Sequence, residues 1–338
     1  MRYRAEYIWI DGTEPTAEVR SKTRVLKTGE EPPTWGYDGS STNQATGDNS
    51  DVVLLPVLTV PDPIRGNGDV LVMCETRLTD DDMTPHPTNT RAPAVAAYEK
   101  YRDQDMIFGL EQEYTMLQPD SKWPYGFPSH GYPDPQGPYY CGVGAVKIAG
   151  RDIVEEHTDL CIGAGLEISG TNAEVMPGQW EFQIGPVDTV TVADHIWLAR
   201  YLLYRVGEVY NVEISLEAKP MKGDWNGAGM HTNFSTKAMR ENYDAIITAA
   251  ESLGKPGKPE EHIAGYGIGI EDRLTGHHET QRYDQYNYGV SDRGASVRIP
   301  WQVARDQKGY LEDRRPNANA DPYVVATLIT NTVCGALA

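Results

Sequence analysis

Between Asp80 and Asn89 the chain carries three consecutive aspartates, Pro85 and Pro87, a stretch that reads as a linker. It divides the 338 residues, too many for one small core, into parts spanning 1–84 and 89–338. The first part is β-rich. Ala5, Tyr7 and Trp9 alternate with Glu6 and Ile8 before the turn at Asp11-Gly12. Thr23–Leu26 and Val70–Met73 read as further strands, and Trp35–Thr42 reads as a loop. The second part mixes elements. Strands are expected at 107–116 and around Trp180 and Phe182. Helical stripes run through 154–164, 192–211 and 239–253, with further helices around Pro93 and after Pro322. Strands and helices do not alternate as they would in a doubly wound sheet, so the fold class is α+β.

Charge narrows the function. A formal net charge of −19 makes a nucleic-acid backbone a poor partner. No apolar run approaches the roughly 20 residues of a membrane span, so no membrane partner is expected. Cys74, Cys141, Cys161 and Cys334 form no C-x-x-C pair and no zinc spacing. Scattered single cysteines fit reduced thiols and a cytoplasmic setting.

Four segments place acids where a plain surface pattern would not. Glu111 and Glu113 share one face of a strand, where two like charges repel unless a cation sits near them. Pro177-Gly178 is a turn that can carry Glu174 back towards Glu181. His231 follows Asn226-Gly227-Ala228-Gly229, small residues that let a backbone approach a ligand closely. Glu312 lies in Tyr310-Leu311-Glu312-Asp313-Arg314-Arg315-Pro316, among mixed charges. Each segment alone is equally a solvated strand face or a salt-bridged turn. Together they describe an oxygen-rich site with one imidazole, which suits Mg²⁺ or Mn²⁺ better than zinc.

Arg273, Arg293, Arg298, Arg314 and Arg315 crowd the last quarter of the chain. Arginine grips carboxylates and phosphates with two parallel bonds, and phosphoryl transfer needs fixed cations as well as metal. Ordinary surface ion pairs explain any one of them. There is no G-x-x-x-x-G-K-[ST] loop. Gly265, Gly267 and Gly269 read as a flexible loop, and Arg273–Thr280 as a flap.

From Trp35 to Pro322 the chain resembles the type II, eukaryotic-like glutamine synthetases. The resemblance rests on Tyr37-Asp38-Gly39-Ser40-Ser41-Thr42, Gly109-Leu110-Glu111-Gln112-Glu113-Tyr114 and the run from Gly137 to Gly144. It rests equally on Gly170–Pro186, Trp225–Ser235 and Glu312-Asp313-Arg314-Arg315-Pro316. It implies a small N-terminal β-grasp domain and a larger catalytic domain with a curved antiparallel sheet and flanking helices. It also implies an ATP-dependent glutamate–ammonia ligase working through γ-glutamyl phosphate, with two or more metal ions per site.

The resemblance assigns roles. Glu113, Glu174 and Glu181 would bind the metal near glutamate, and Glu111, His231 and Glu312 the metal near the ATP phosphates. Trp225, Asn226 and Gly227 fall in the glutamate-binding segment, with Arg273 and Arg314 on substrate carboxylates. Asn233, Phe234, Ser235 and Tyr310 would line the nucleotide, and Arg293 and Arg298 face its phosphates. Glu279 would close the site, and Asp38 would take a proton from ammonium. The family places its sites between subunits of a homo-oligomer, here a decamer. Asp224 stands where many relatives have Asn, and His277 where Phe is common. A γ-glutamyl ligase using another amine, and an inactive assembling or sensing paralogue, are the alternatives.

Overall fold

Tyr7 and Trp9 point to one side of the first strand and Ile8 to the other, and both sides are buried. That strand, β1 (Arg2–Ile10), lies inside a five-stranded sheet with β2 (Val19–Lys27), β3 (Trp35–Asp38), β4 (Asp51–Pro61) and β5 (Val70–Arg77). The order is β2-β1-β5-β4-β3, parallel between β1 and β5 and antiparallel elsewhere. The computed structural model describes residues 1–338.

One face of this sheet holds a core of only nine buried residues, including Tyr7, Trp9, Tyr37 and Leu54. The other face gives Ile8, Leu71 and Met73 to a core of 53 buried residues shared with the rest of the chain. So small an apolar set of its own makes the first sheet dependent on docking.

The remaining elements are α1 (Arg91–Lys100), β6 (Ile107–Leu117), α2 (Arg151–Gly163), β7 (Ile168–Ala173), β8 (Gln179–Asp188) and α3 (Thr189–Tyr210). They continue with β9 (Glu213–Ser215), β10 (Met230–Ser235), α4 (Tyr243–Leu253), α5 (Lys258–Gly265), α6 (Ile270–Arg273) and β11 (Tyr288–Val290). Last come β12 (Val297–Ile299), α7 (Trp301–Asp306), β13 (Leu311–Asp313) and α8 (Pro322–Leu337). The second sheet runs β11-β12-β13-β10-β6-β8-β7, with β9 also paired to β6. α3 packs against β6 and β8, flanked by α2 and α8. The Asp188 carboxylate caps its first turn by accepting from the Val190 and Thr191 amides. No helix is long and apolar enough to cross a membrane.

Several expectations are revised. Trp35–Asp38 is a strand, because Trp35 and Tyr37 pack their rings on Tyr7 and Trp9. β4 gives no clean sequence signal because Pro56 interrupts it. The structure absorbs the proline in a register shift between Pro56 and Leu58, where a missing N–H is tolerated. The second sheet is antiparallel except for its β11/β12 edge, which is parallel. The glycines at 265, 267 and 269 lie outside the lining of the protein's main cavity. Their turn is tied down by the Ile268 carbonyl, which accepts from Asn317 and Asn319.

Asp80–Asn89 is not a free tether either. His86 and Asn89 are buried, and His86 meets the Gln44 carbonyl at 2.6 Å. Just beyond, Arg91 on α1 donates to Glu75 of β5 (2.7 Å) and to both oxygens of Asp194 on α3 (2.8 and 3.0 Å). Tyr323 of α8 donates to the same Asp194. One guanidinium thus holds carboxylates from both sheets' layers together. Arg91→Ala removes the cation shared by two buried carboxylates, leaving Glu75 to Arg77 and Asp194 to Tyr323, and is expected to cost up to about 3–5 kcal/mol. The urea midpoint of the first unfolding transition is expected to fall markedly, and an unchanged midpoint would discount this joint.

Candidate active site

Strand alternation decides which side chains meet. In β6, Glu111 and Glu113 leave one face of the sheet while Leu110, Gln112 and Tyr114 enter the core. Register does the rest. Glu111 lies opposite His231 of β10 and Gln183 of β8, and Glu113 opposite Glu181. Glu312 of β13 lies opposite Asn233 and Arg298. Glu174 follows β7 on the turn that returns into β8. Gly178 allows that turn: it adopts φ 77°, and a Cβ there would sit 2.3 Å from the Tyr125 carbonyl oxygen.

These residues surround a cavity of 590 Å³ in which only two of 21 lining residues are hydrophobic. Its walls include Glu111, Glu113, Glu174, Glu181, His231, Glu312, Asn226, Gly227, Arg273, Glu279, Arg293, Arg298 and Arg314. One ligand atom from each of Glu113, Glu174 and Glu181 lies within 4.8 Å of the other two. The same holds for Glu111, Glu181 and His231. Burial, then mutual repulsion, holds the Glu113 and Glu181 carboxyls well above the usual carboxylate range. Burial also raises Glu174, against a hydrogen bond from Asn172, and Glu111, against one from Asn233. Burial, with Arg314 nearby, drives His231 well below its ordinary value.

The donor set therefore fits divalent cations that prefer oxygen. Hard carboxylate oxygens converge with one imidazole, and Glu113, Glu174 and Glu181 form no ion pair with an arginine or lysine, although Arg273 and Arg293 act on them from further off. The grouping differs from the expected second triad. Both Glu312 oxygens are held by arginines, Arg314 at 2.5 Å and Arg298 at 2.8 Å, and the His231 Nδ1 lies 3.7 Å away.

Arg273 also differs from expectation. It ends α6 and is buried rather than lying in a flap. Its guanidinium donates to the Arg314 and Arg315 carbonyls (3.0 and 3.2 Å) and meets His231 Nε2 at 3.2 Å. The glycines before His231 make room for it. A Cβ at Gly229 would lie 2.3 Å from its Nη2, so their smallness serves a neighbouring side chain. Arg314 reaches the loop after α6, donating to the Glu279 carbonyl at 3.3 Å. In that loop His278 and Glu279 both adopt left-handed backbone, at φ 54° and 59°, a strained choice for two consecutive non-glycine residues. The Glu279 carboxylate lies 3.5 Å from Arg293.

Six expected residues do not line the cavity. Phe234 alternates into the core, and Trp225 is buried against Phe127. Asn233 donates to Glu111 at 2.7 Å. Ser235 accepts from Arg240 at 2.9 Å, and Tyr310 is partly exposed. Asp38 is exposed on the first sheet and accepts only from Ser40 and Ser41. Conversely, Lys219, Asn172, Gln183, Tyr140 and His278 line the cavity without having been singled out as site residues. Gln183 was legible, since it shares the Glu181 strand face. Lys219 had no signal; its ammonium donates to the Trp225 carbonyl.

The raised carboxyls couple the site to pH. A carboxyl whose value rises on folding takes up protons, so its contribution to stability is present at low pH and is lost as pH rises. A bound divalent cation replaces those protons. Without divalent metal, the melting temperature is expected to fall between about pH 5 and about pH 8, and added cation to restore more of it at the upper end. Calorimetry in two buffers of different ionisation heat should show protons released on cation binding. No release would contradict the clustered carboxyls.

Comparison with known proteins is consistent over the whole length. Residues 3–78 match the family description "Glutamine synthetase, beta-Grasp domain" and residues 87–265 "Glutamine synthetase, catalytic domain". A glutamine synthetase of Streptomyces viridochromogenes is 63% identical, spanning 100% of this chain and 98% of that protein. One from Emericella nidulans is 53% identical over 98% of this chain and 93% of its own length. A glutamine synthetase cytosolic isozyme of Medicago sativa is 50% identical over 97% of this chain and 93% of its own. The relatives extend through the arginine-rich last quarter, beyond the matched catalytic segment.

Proposed function

The chain belongs to the glutamine synthetase family, and from that premise we propose how its own residues join ammonia to glutamate. The activity is that of an ATP-dependent glutamate–ammonia ligase. The observation that carries the residue-level reading is the convergence of Glu111, Glu113, Glu174, Glu181, Glu312 and His231 beside Arg293, Arg298 and Arg314 in one cavity.

Mg²⁺ or Mn²⁺ would be held by Glu113, Glu174 and Glu181, and a second ion by Glu111, His231 and Glu312. Bound there, the ions would neutralise phosphate and carboxylate charge. Arg293 and Arg298 fix the ATP phosphates, and Asn233, Ser235 and Tyr310 border the nucleotide. Phe234 and Trp225, with buried rings, contribute through their backbones and by packing. Asn226, Gly227 and Arg314 orient glutamate, while Arg273 supports His231 and the β13 backbone beneath it.

In the first step a glutamate side-chain oxygen attacks the γ-phosphorus of ATP and the bond to ADP breaks. This turns a very poor leaving group into a good one. In the second, ammonia attacks the acyl carbon, phosphate leaves, and the nitrogen sheds a proton. Glu279, on the loop over the cavity, helps exclude water from the acyl phosphate. Asp38 accepts the proton that ammonium must lose. Within one chain Asp38 is exposed and away from the cavity lining, which favours sites shared between copies in a homo-oligomer, a decamer in this reading. A cytoplasmic setting is part of the proposal, supported by four free cysteines and the cytosolic plant relative.

Two measurements test it. Phosphate release from ATP and glutamate should depend on ammonium far more than on any polyamine, and the reverse ranking would overturn the choice of amine. Asp38→Ala should lower ammonium-saturated turnover by about 10²-fold or more. Single-turnover ADP formation without ammonium should change little. Equal loss in both steps would remove Asp38 from its proton-accepting role.

A further inference from the structure

Asn226 lines the cavity, yet the direction its amide faces is set by Gln136, which lies outside the lining. Its backbone N–H donates to Gln136 Oε1 at 2.6 Å. A backbone donor cannot be flipped, so this bond fixes the Gln136 amide. Gln136 Nε2 must then face the other way, where it donates to Asn226 Oδ1 at 2.7 Å. The Asn226 oxygen is thereby engaged, and its Nδ2 keeps two N–H groups with no protein acceptor.

The second hydrogen of Gln136 Nε2 points to His278 Nδ1, at 3.5 Å. Across the ring, His278 Nε2 lies 3.1 Å from Asp224 Oδ1. Every hydrogen is used once and in one sense: His278 Nε2–H to Asp224, Gln136 to His278 and to Asn226 Oδ1, and the Asn226 backbone to Gln136. The chain of bonds links three separate segments: the loop after β6, the 223–229 loop and the loop carrying Glu279.

We propose that Gln136 and His278 are positioning residues for the amino-acid substrate, setting the Asn226 amide so that it offers N–H donors to a substrate carboxylate. This deepens the assignment of Asn226 to the glutamate wall and rests on that reading. It also gives the Glu279 loop a way to report its position to the substrate: His278 adjoins Glu279, and docking on Asp224 and Gln136 completes the chain. Asp224 serves as an acceptor, a function an Asn side-chain oxygen can also fill.

Gln136→Glu is the sharpest test. The new carboxylate still accepts from the Asn226 backbone, but its second oxygen faces Asn226 Oδ1. The Asn226 amide must turn, presenting oxygen to the substrate. The KM for glutamate is expected to rise about tenfold or more, with the KM for ATP nearly unchanged, as befits one hydrogen bond to a charged group replaced by a repulsion. His278→Phe should raise the glutamate KM by a smaller factor. Asp224→Leu should follow it, and Asp224→Asn should recover most of that loss. Melting temperatures near wild type separate these effects from unfolding. An unchanged glutamate KM in both Gln136→Glu and His278→Phe, or equal changes in the KM for ATP and glutamate, would overturn the proposal. Failure of the wild-type enzyme to form glutamine would instead overturn the functional reading beneath it.

Discussion

Three glutamates on one face of a β-sheet, with Glu174 on the turn beside them, repel one another, and much of the structure around the cavity answers that repulsion. Alternation along β6 and register with β8 and β10 force Glu111, Glu113, Glu181 and His231 together. Side chains brought so close in a buried setting would disperse if they were free to move. They are not free, because the backbone that carries them is pinned from behind.

The back of the sheet is held by charge as well as by apolar packing. Gln112, between the two β6 glutamates, turns inward and accepts from the buried Arg200 at 2.6 and 2.9 Å. Arg200 also donates to the Ala318 and Ala320 carbonyls, tying β6 to the segment before α8. In β13 and the two residues after it the same division recurs. Glu312 and Arg314 face the cavity, while Asp313 and Arg315 pair in the core at 2.7 Å. Tyr266 donates to Asp313, and His262 joins Tyr266 to Thr332 of α8. Such internal polar networks, in which only Arg315 Nη1 is left buried without a partner, fix a strand's position more sharply than apolar contacts alone. Placement of the cavity glutamates therefore depends on residues outside the cavity lining.

The front of the site is built differently, from loops. Loops tolerate strained backbone and carry function on a rigid scaffold. Left-handed His278 and Glu279, the Gly178 turn under Glu174 and the Asn226 segment all belong here. The Asn226 segment and His278 are linked through Gln136 by side-chain hydrogen bonds rather than by a sheet ladder.

The sequence alone determined much of this protein. Period-two patterns marked β1, β6 and β8, amphipathic stripes marked α2, α3 and α4, and Pro177-Gly178 placed a turn. All are local signals that physics reads without tertiary information. Family motifs then carried the substrate and reaction. What sequence could not decide was register and facing across strands distant in the chain. The motif assigned Glu312 to a metal triad, while its pairing with Arg298 and Arg314 is visible only in the fold. Arg273 read as a flap residue until the fold buried it against His231, and Phe234 and Trp225 read as site residues until their rings turned inward. Pro56 hid β4 because the bulge that accommodates it exists only beside β5. Gln136 carried no signal at all, since its role depends on a backbone N–H ninety residues away in sequence. Identity and local geometry are written along the chain. Which groups share a cavity is set by long-range pairing, where one residue of register moves a side chain to the opposite face.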